Sequence, residues 1–331
     1  MNLFDDRWQV GGIARFAREV ARRLPGFRNA GLRGHPAAPV EPLRLAIRLR
    51  RLRPDFFFSP GYNAPVSAPC PFAFTLHDLN HISVPGDGSA MKSLYYAVFI
   101  RRAIRRAAVV LTVSEFSRQQ IAAWSGVDAG KVVNVGNGVT VTFRPEGPIF
   151  KSGGAPYFAC MGSAYPHKNF RRIVGAFADP QVRSACRLVV VGPASAELAR
   201  VVSDAGGPGQ VDFTGAVDDA GLAAVYRGAV ALVFPSLYEG FGLPIVEAMA
   251  CGTAVITSAT ASMPEVAGEA ALLVEPTSEA EIARAMRELL SNQALRAGLA
   301  ARGLVRAAGY TWDATAERVL RALSPWTGGA A

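Results

Sequence analysis

A chain of 331 residues, half of them apolar and carrying a net charge of +9, has room for about two domains of ordinary size with a core in each. No apolar run approaches the roughly 20 residues that span a bilayer; the longest candidate, Tyr95 to Ile100, is interrupted by Arg101, Arg102, Arg105 and Arg106. The four cysteines, Cys70, Cys160, Cys186 and Cys251, have no C-x-x-C spacing, so free buried thiols in a reducing cytosol are expected rather than a disulfide scaffold.

Short β-like runs alternate with helical patterns from the first residues onward, which predicts parallel sheets covered by helices. In the first half, strands are expected at Met1–Phe4, Asp55–Ser59, Phe72–Leu76, Ala108–Val113 and Val132–Val135. Helices are expected around Ile13–Leu24, Leu43–Leu52, Met91–Arg106 and Glu115–Ser125. Met1 to Val10 holds Asp5, Asp6 and Arg7 where a secretory signal would have a basic start and an apolar centre. Gln9 to Phe16 follows the first strand and opens a helix, and Gly11 and Gly12 there permit close approach of a ligand. The Pro- and Gly-rich stretch Gly26 to Pro42 reads as a loop. His77 and Asp78 end a strand, the place where a doubly wound sheet presents reactive groups. Ser114 is placed to cap a helix whose first residue is Glu115, and Arg118 lies within reach of an anion.

Arg144 to Pro156 contains six Pro and Gly residues between two complete alternating runs and reads as the interdomain linker. The boundaries drawn from it are 1–148 and 149–331. Beyond it, strands are expected at Tyr157–Cys160, Arg187–Val191, Val211–Phe213, Ala229–Phe234, Ala254–Thr257 and Ala271–Val274, with three closing helices at Glu279–Leu290, Gln293–Val305 and Asp313–Leu323. Met161 to Asn169 runs from a strand into a helix that Asn169 is placed to cap. Within it, Gly162 and Ser163 form a loop on which Lys168 offers a compact cation to a diphosphate.

Tyr238 to Ala250 holds two carboxylates eight positions apart, Glu239 in a glycine-punctuated turn and Glu247 just inside a helix opened by Pro244. Unpaired N–H groups at such a helix end attract anions, and Gly240 and Gly242 let backbone come close. Carboxylates repel a diphosphate, so Glu239 and Glu247 are expected to accept hydrogen bonds from sugar or ribose hydroxyls on either side of it.

This segment resembles the signature of retaining family 4 glycosyltransferases of the GT-B type, and the resemblance runs through most of the chain. It implies an α/β fold of two doubly wound Rossmann-like domains facing a central cleft, an acceptor-side domain first and a donor-binding domain second, with the last helix crossing back to the first domain. It implies that Glu239 contacts the donor hexose and Glu247 the ribose, while the backbone of Gly240, Phe241, Gly242 and Leu243 meets the diphosphate. Lys168 matches the lysine that neutralises the departing nucleotide. His77 matches a histidine near the reacting sugar, and Gly11 and Gly12 match a glycine-rich N-terminal loop. Many relatives carry arginine at the position of Ser163, so here the countercharge is expected to rest on Lys168 with help from His167.

The expected reaction is retaining, metal-independent transfer of a hexosyl unit, mannose-like or rhamnose-like, from a nucleotide diphosphate sugar to a glycan or lipid-linked acceptor. No cofactor is called for, His35, His77, His81 and His167 are not spaced as metal ligands, and no DxD-like triplet ends a strand. A sugar-nucleotide epimerase or an inactive nucleotide-sugar-binding scaffold would share the donor motif. The charge is lopsided, with 20 Lys and Arg against 10 Asp and Glu in residues 1–150 and 15 against 16 thereafter. Without a nucleic-acid motif, that imbalance suits an anionic membrane or an anionic acceptor. Arg101, Arg102, Arg105 and Arg106 form either a solvated basic face or a peripheral contact with anionic headgroups, the latter expected of a cytoplasmic chain at the inner membrane face in surface-polysaccharide assembly.

Overall fold

A computed structural model describes residues 1–8, 11–36, 38–86, 89–206 and 209–328. The chain divides into two compact units, Met1–Gly138 with Thr311–Ala331, and Val139–Tyr310. Gln9 and Val10 of the first glycine-rich loop lie outside the described residues.

The first unit is built on β1 (Asn2–Phe4), β2 (Phe27–Asn29), β3 (Phe56–Ser59), β4 (Phe72–Thr75), β5 (Val109–Thr112) and β6 (Val132–Asn134), paired in parallel in the order β2-β1-β3-β4-β5-β6. Strands β3, β4 and β5 are buried throughout, which is why their sequences read as unbroken apolar runs. Strand β2 lies inside the stretch expected to be a loop. It is an edge strand of three residues, partly or fully exposed and joined only to β1, so no apolar pattern marks it. The helix Trp312–Leu323 belongs to this unit: Trp312 meets Phe16 edge to face, Arg23 pairs with Asp313 at 2.6 Å, and Arg318 donates to the Val135 carbonyl at 2.8 Å.

The second unit carries β7 (Tyr157–Met161), β8 (Arg187–Val191), β9 (Val211–Phe213), β10 (Ala231–Phe234), β11 (Ala254–Ser258) and β12 (Leu272–Val274), all parallel, in the order β12-β11-β10-β7-β8-β9. Its core joins Phe158, Cys160, Leu188, Val190, Val233 and Ile256 of the sheet to Ile173 and Phe177 of one helix and Met286 and Leu289 of another. The stretch from Arg144 to Pro156 lies within this unit, where the Arg227 guanidinium donates to the carbonyls of Pro148 and Arg144 at 2.8 and 3.0 Å. All four cysteines are free, and burial pushes the thiols of Cys186 and Cys251 up to about 12. Among the described residues no helix is long and apolar enough to cross a membrane.

Candidate functional site

The strand order of the second unit sets the place of its site. The chain winds outward from β7 to β9 and then returns to lay β10 on the other side of β7. The loops after β7 and β10 therefore leave the sheet in opposite directions, and the crevice between them is where doubly wound sheets take ligands. Those two loops carry Lys168 and Glu239. Although they are 71 positions apart in sequence, Lys168 Nζ donates to Glu239 Oε1 at 2.6 Å. Nζ also lies 5.5 Å from the centre of the Phe234 ring.

Lys168 ends a single tight turn, Pro166–Lys168, after which Asn169 adopts the left-handed conformation with φ of 60°. Asn169 stands at the start of the helix Phe170–Phe177 but does not cap it through its side chain. Its Nδ2 donates instead to the carbonyls of Pro235 and Pro276, at 2.8 and 2.6 Å. This corrects the expected role: the side chain fastens the β7 loop to the β10 loop. Gly162 has a packing reason for being glycine, since a Cβ would lie 2.8 Å from Val190 Cγ1 and 3.0 Å from the Val191 carbonyl oxygen. Ser163 accepts from the Tyr165 amide at 3.3 Å and shapes the same turn.

The loop carrying Glu239 is held by its carbonyls. Thr257 Oγ1 donates to the Phe234 carbonyl at 2.9 Å, Asn169 to that of Pro235, and Ser258 Oγ to that of Ser236. Ser262 Oγ reaches the carbonyls of both Glu239 and Phe241, at 2.9 and 3.1 Å. A loop whose carbonyls accept from buried side chains, and whose Leu237 amide donates to the His167 carbonyl at 2.7 Å, is held in one shape. Gly242 then takes φ of 93°, a conformation that side chains rarely adopt, and begins the helix Leu243–Ala250. Leu243 is its first residue and Pro244 its second, one position later than expected. Phe241 is buried edge-on against Tyr310. Neither glutamate is a free surface group: the Glu239 side chain is 11% exposed and Glu247 is buried. The arrangement gathers a cation, a carboxylate and a helix N-terminus at one crevice, with Glu247 buried on that same helix, a combination able to receive an anion beside a hydroxyl group.

Sequence reasoning had not singled out Thr257, Ser258 or Ser262, because side-chain bonds to backbone carbonyls leave no spacing to read. Among the described residues, no group of three or more His, Cys, Asp or Glu is gathered as a metal site requires.

In the first unit, the return of the chain from β2 past β1 to β3 makes a second crevice, at the ends of β1 and β3. Gly11 opens the helix Gly11–Ala21 with φ of 75°, and Gly12 follows it in the first turn. Asp5 and Glu41, both fully buried, are joined by Arg7, whose Nε lies 2.8 Å from Asp5 Oδ1 and whose Nη1 lies 2.6 Å from Glu41 Oε1. Beside them Trp8 packs edge-on against Tyr62, and a Cβ on Gly61 would collide with the Trp8 ring. Reading Asp5 and Arg7 only as disqualifying a signal segment had missed this network.

His77 follows β4. Its Nε2 donates to the Pro60 carbonyl at 3.0 Å, since a carbonyl can only accept, which leaves Nδ1 as the ring's acceptor. Burial pushes its pKa down to about 4, so the imidazole is neutral at ordinary pH. Asp78 accepts from the Asn80 amide at 3.0 Å and Ser114 caps its helix by accepting from the Ser117 amide at 3.0 Å. Arg118 is clasped by Glu115 through two bonds of 2.6 and 2.7 Å rather than held out toward an anion.

Residues 10–143 match the family described as Glycosyltransferase Family 4, and residues 146–305 match Glycosyl transferases group 1. The chain is 27% identical to O-antigen chain mannosyltransferase B of Escherichia coli over 296 residues, which cover 86% of this chain and 77% of that one. It is 28% identical to the serotype-specific mannosyltransferase WbdA of Escherichia coli over 228 residues, 64% of this chain but only 28% of that much longer protein. The structure aligns with that of Anabaena HepE in complex with UDP-glucose with a TM-score of 0.77, at 17% identity over 98% of this chain and 99% of that one. That likeness places both units in the GT-B fold. The chain belongs to the family 4 glycosyltransferases of the GT-B type.

Proposed function

We propose that the protein is a retaining hexosyltransferase that moves a mannose-like unit from a nucleotide diphosphate sugar to a glycan or lipid-linked acceptor during surface-polysaccharide synthesis. The observation that carries the donor half of this reading is the pairing of Lys168 with Glu239 beside the N-terminus of Leu243–Ala250. Donor binding divides that pair. Lys168 turns to the diphosphate, where negative charge grows as the glycosidic bond loosens, and the helix N–H groups and the loop backbone after Gly162 share the load. Glu239 is released to accept hydroxyl groups of the hexose, and Glu247 those of the ribose. The backbone of Gly240, Phe241 and Gly242 spans the phosphates between them.

With cationic and N–H donors on the leaving group, the reaction needs no divalent ion and no cofactor. Attack from the front face, assisted by the departing phosphate, accounts for retention without a nucleophilic carboxylate. His77, neutral and with Nδ1 left to accept, suits a hydrogen bond from a sugar or acceptor hydroxyl rather than proton donation at neutral pH. The names of the two mannosyltransferases support the mannose-like donor and the polysaccharide product, and the UDP-glucose bound by HepE supports a nucleotide sugar as the donor class.

The test is a panel of nucleotide diphosphate sugars, GDP-mannose first, assayed for binding and for slow hydrolysis by the purified chain. One donor bound more tightly than its own nucleotide diphosphate is expected. Binding of none of them would overturn the reading, and isomerisation of a bound donor without any acceptor would replace it with an epimerase.

A further inference from the structure

The first unit carries two helices whose outer faces combine exposed apolar side chains with unneutralised arginines. On the helix Glu41–Leu52, Leu45 and Leu49 enter the core while Leu43, Ile47 and the preceding Val40 stay in solvent. Spacing of three and four residues places those three on one stripe. On the second, Ala90–Tyr95 runs through the π turn Tyr96–Ile100 into Arg101–Arg106, with Tyr96, Ile100 and Ile104 inward and Met91, Leu94, Val98 and Phe99 outward. The seven outward residues run from 40% exposed at Val98 to 74% at Met91. Single exposed apolar residues are ordinary, but seven confined to two neighbouring helices are not.

The two helices lie on one side of the sheet and close together. Their inward residues share a single core. Both also fasten to the same short segment, Arg50 Nη2 donating to Ser67 Oγ at 3.1 Å and Arg106 Nη1 to the Val66 carbonyl at 2.6 Å, while the Val66 amide donates to the Pro42 carbonyl at 3.1 Å. The outward stripes thus belong to one surface. Arg44, Arg48 and Arg51 stand on it from the first helix, Arg101, Arg102 and Arg105 from the second, and all are exposed. Where these guanidinium groups bond within the protein they bond to neutral oxygens, as Arg101 and Arg105 do to the Ser125 carbonyl, so their charge is kept. The only carboxylate on either helix, Glu41, is buried against Arg7.

We propose that this two-helix surface docks on an anionic lipid bilayer, its apolar stripes entering the headgroup boundary and its arginines pairing with lipid phosphates. Amphipathic helices with arginines beside apolar residues bind membranes in this way without crossing them. A second copy of the chain is the poorer occupant, because self-association would bring two strongly positive faces together. Nucleic acid is poorer too, since Phe99 is the one exposed aromatic ring among the seven outward residues and offers no stacking platform. The proposal extends the reading of a lipid-linked acceptor by stating where the enzyme sits, and it is measured without donor or turnover. Its failure would leave the donor site untouched, and failure of the donor panel would leave the surface untouched.

The experiment is flotation of the full chain with vesicles of phosphatidylcholine, with and without phosphatidylglycerol, for wild type, for Leu43→Ser with Phe99→Ser, and for Arg48→Glu with Arg102→Glu. Binding to the phosphatidylglycerol vesicles is expected, weakened about tenfold or more in each double variant and on vesicles lacking the anionic lipid. Melting curves verify folding, and a Phe99→Trp chain gives a second measurement, a blue shift of its added fluorescence on anionic vesicles. The proposal is overturned by absence of wild-type binding, by undiminished binding of folded double variants, or by no response of the Trp probe. Equal binding of duplex DNA, lost with the charges but not with Leu43 and Phe99, would overturn it in favour of a general polyanion surface; a dimer broken by the apolar pair would overturn it in favour of self-association.

Discussion

Lys168 and Glu239 close on each other at 2.6 Å across the crevice between the β7 and β10 loops, each satisfying the other's charge while the side chains are 26% and 11% exposed. The pair keeps both groups in place at the helix end, ready to exchange each other for a charged ligand. Lys168→Ala removes the mobile cation but leaves the loop bonds through Asn169 intact. The expected result is a fall in kcat of about 10²- to 10³-fold, the range seen when one stabiliser of developing charge is removed, with a smaller change in donor KM. Steady-state kinetics with an identified donor check it.

Ser262 acts on the site through the backbone of Glu239 and Phe241. Ser262→Ala leaves two carbonyls of a buried loop short of a donor, so a loss of about 1–3 kcal/mol in stability is expected. The loop also loses its fixed shape, and donor KM is expected to rise more than kcat falls. Chemical denaturation and a kinetic split between the two constants measure these effects.

His77 couples the fold to pH. In the unfolded chain the imidazole takes up a proton near its ordinary value of about 6.5, whereas in the fold it resists until about 4. Between those values the unfolded state binds more protons. The contribution of His77 is therefore fully present above the upper value and is lost as the pH falls toward the lower. The melting temperature of wild type is expected to drop more steeply than that of His77→Gln over this window. Carboxylates and the other histidines act alike in both chains, so the difference between the two curves isolates His77.

Arg7 neutralises two buried carboxylates, Asp5 and Glu41, at once. Arg7→Met leaves both without their cation, and a destabilisation of about 3–5 kcal/mol is expected. Denaturant unfolding followed by circular dichroism checks the value. A charge-free triple variant, with Asp5→Asn and Glu41→Gln added, is expected to recover part of the loss.

Much of this architecture was legible because buried parallel strands announce themselves. Phe56 to Phe58 and Val109 to Thr112 are apolar or β-branched runs, and each lies in a fully buried strand. Strand β2 was not legible, because Phe27 to Asn29 sits at an edge with two of its three residues exposed. The meeting of Lys168 and Glu239 was implied by the motifs, since each falls at the end of a strand and the two strands adjoin at the turning point of the sheet. Asn169 was noticed only as a helix cap, and Ser258 and Ser262 not at all, because their partners are carbonyl groups, which every residue has. The Asp5–Arg7–Glu41 network escaped for another reason: Glu41 is 34 positions from Arg7, and nothing in either segment records that folding brings them together.

The most direct test of the donor site compares binding of a nucleotide diphosphate sugar with binding of its bare nucleotide diphosphate, by calorimetry, in wild type and in Glu239→Ala. If Glu239 reads the hexose, wild type prefers the sugar-bearing ligand, and Glu239→Ala loses that preference while still binding the diphosphate. An unchanged preference in Glu239→Ala, with transfer continuing undiminished, would contradict the account.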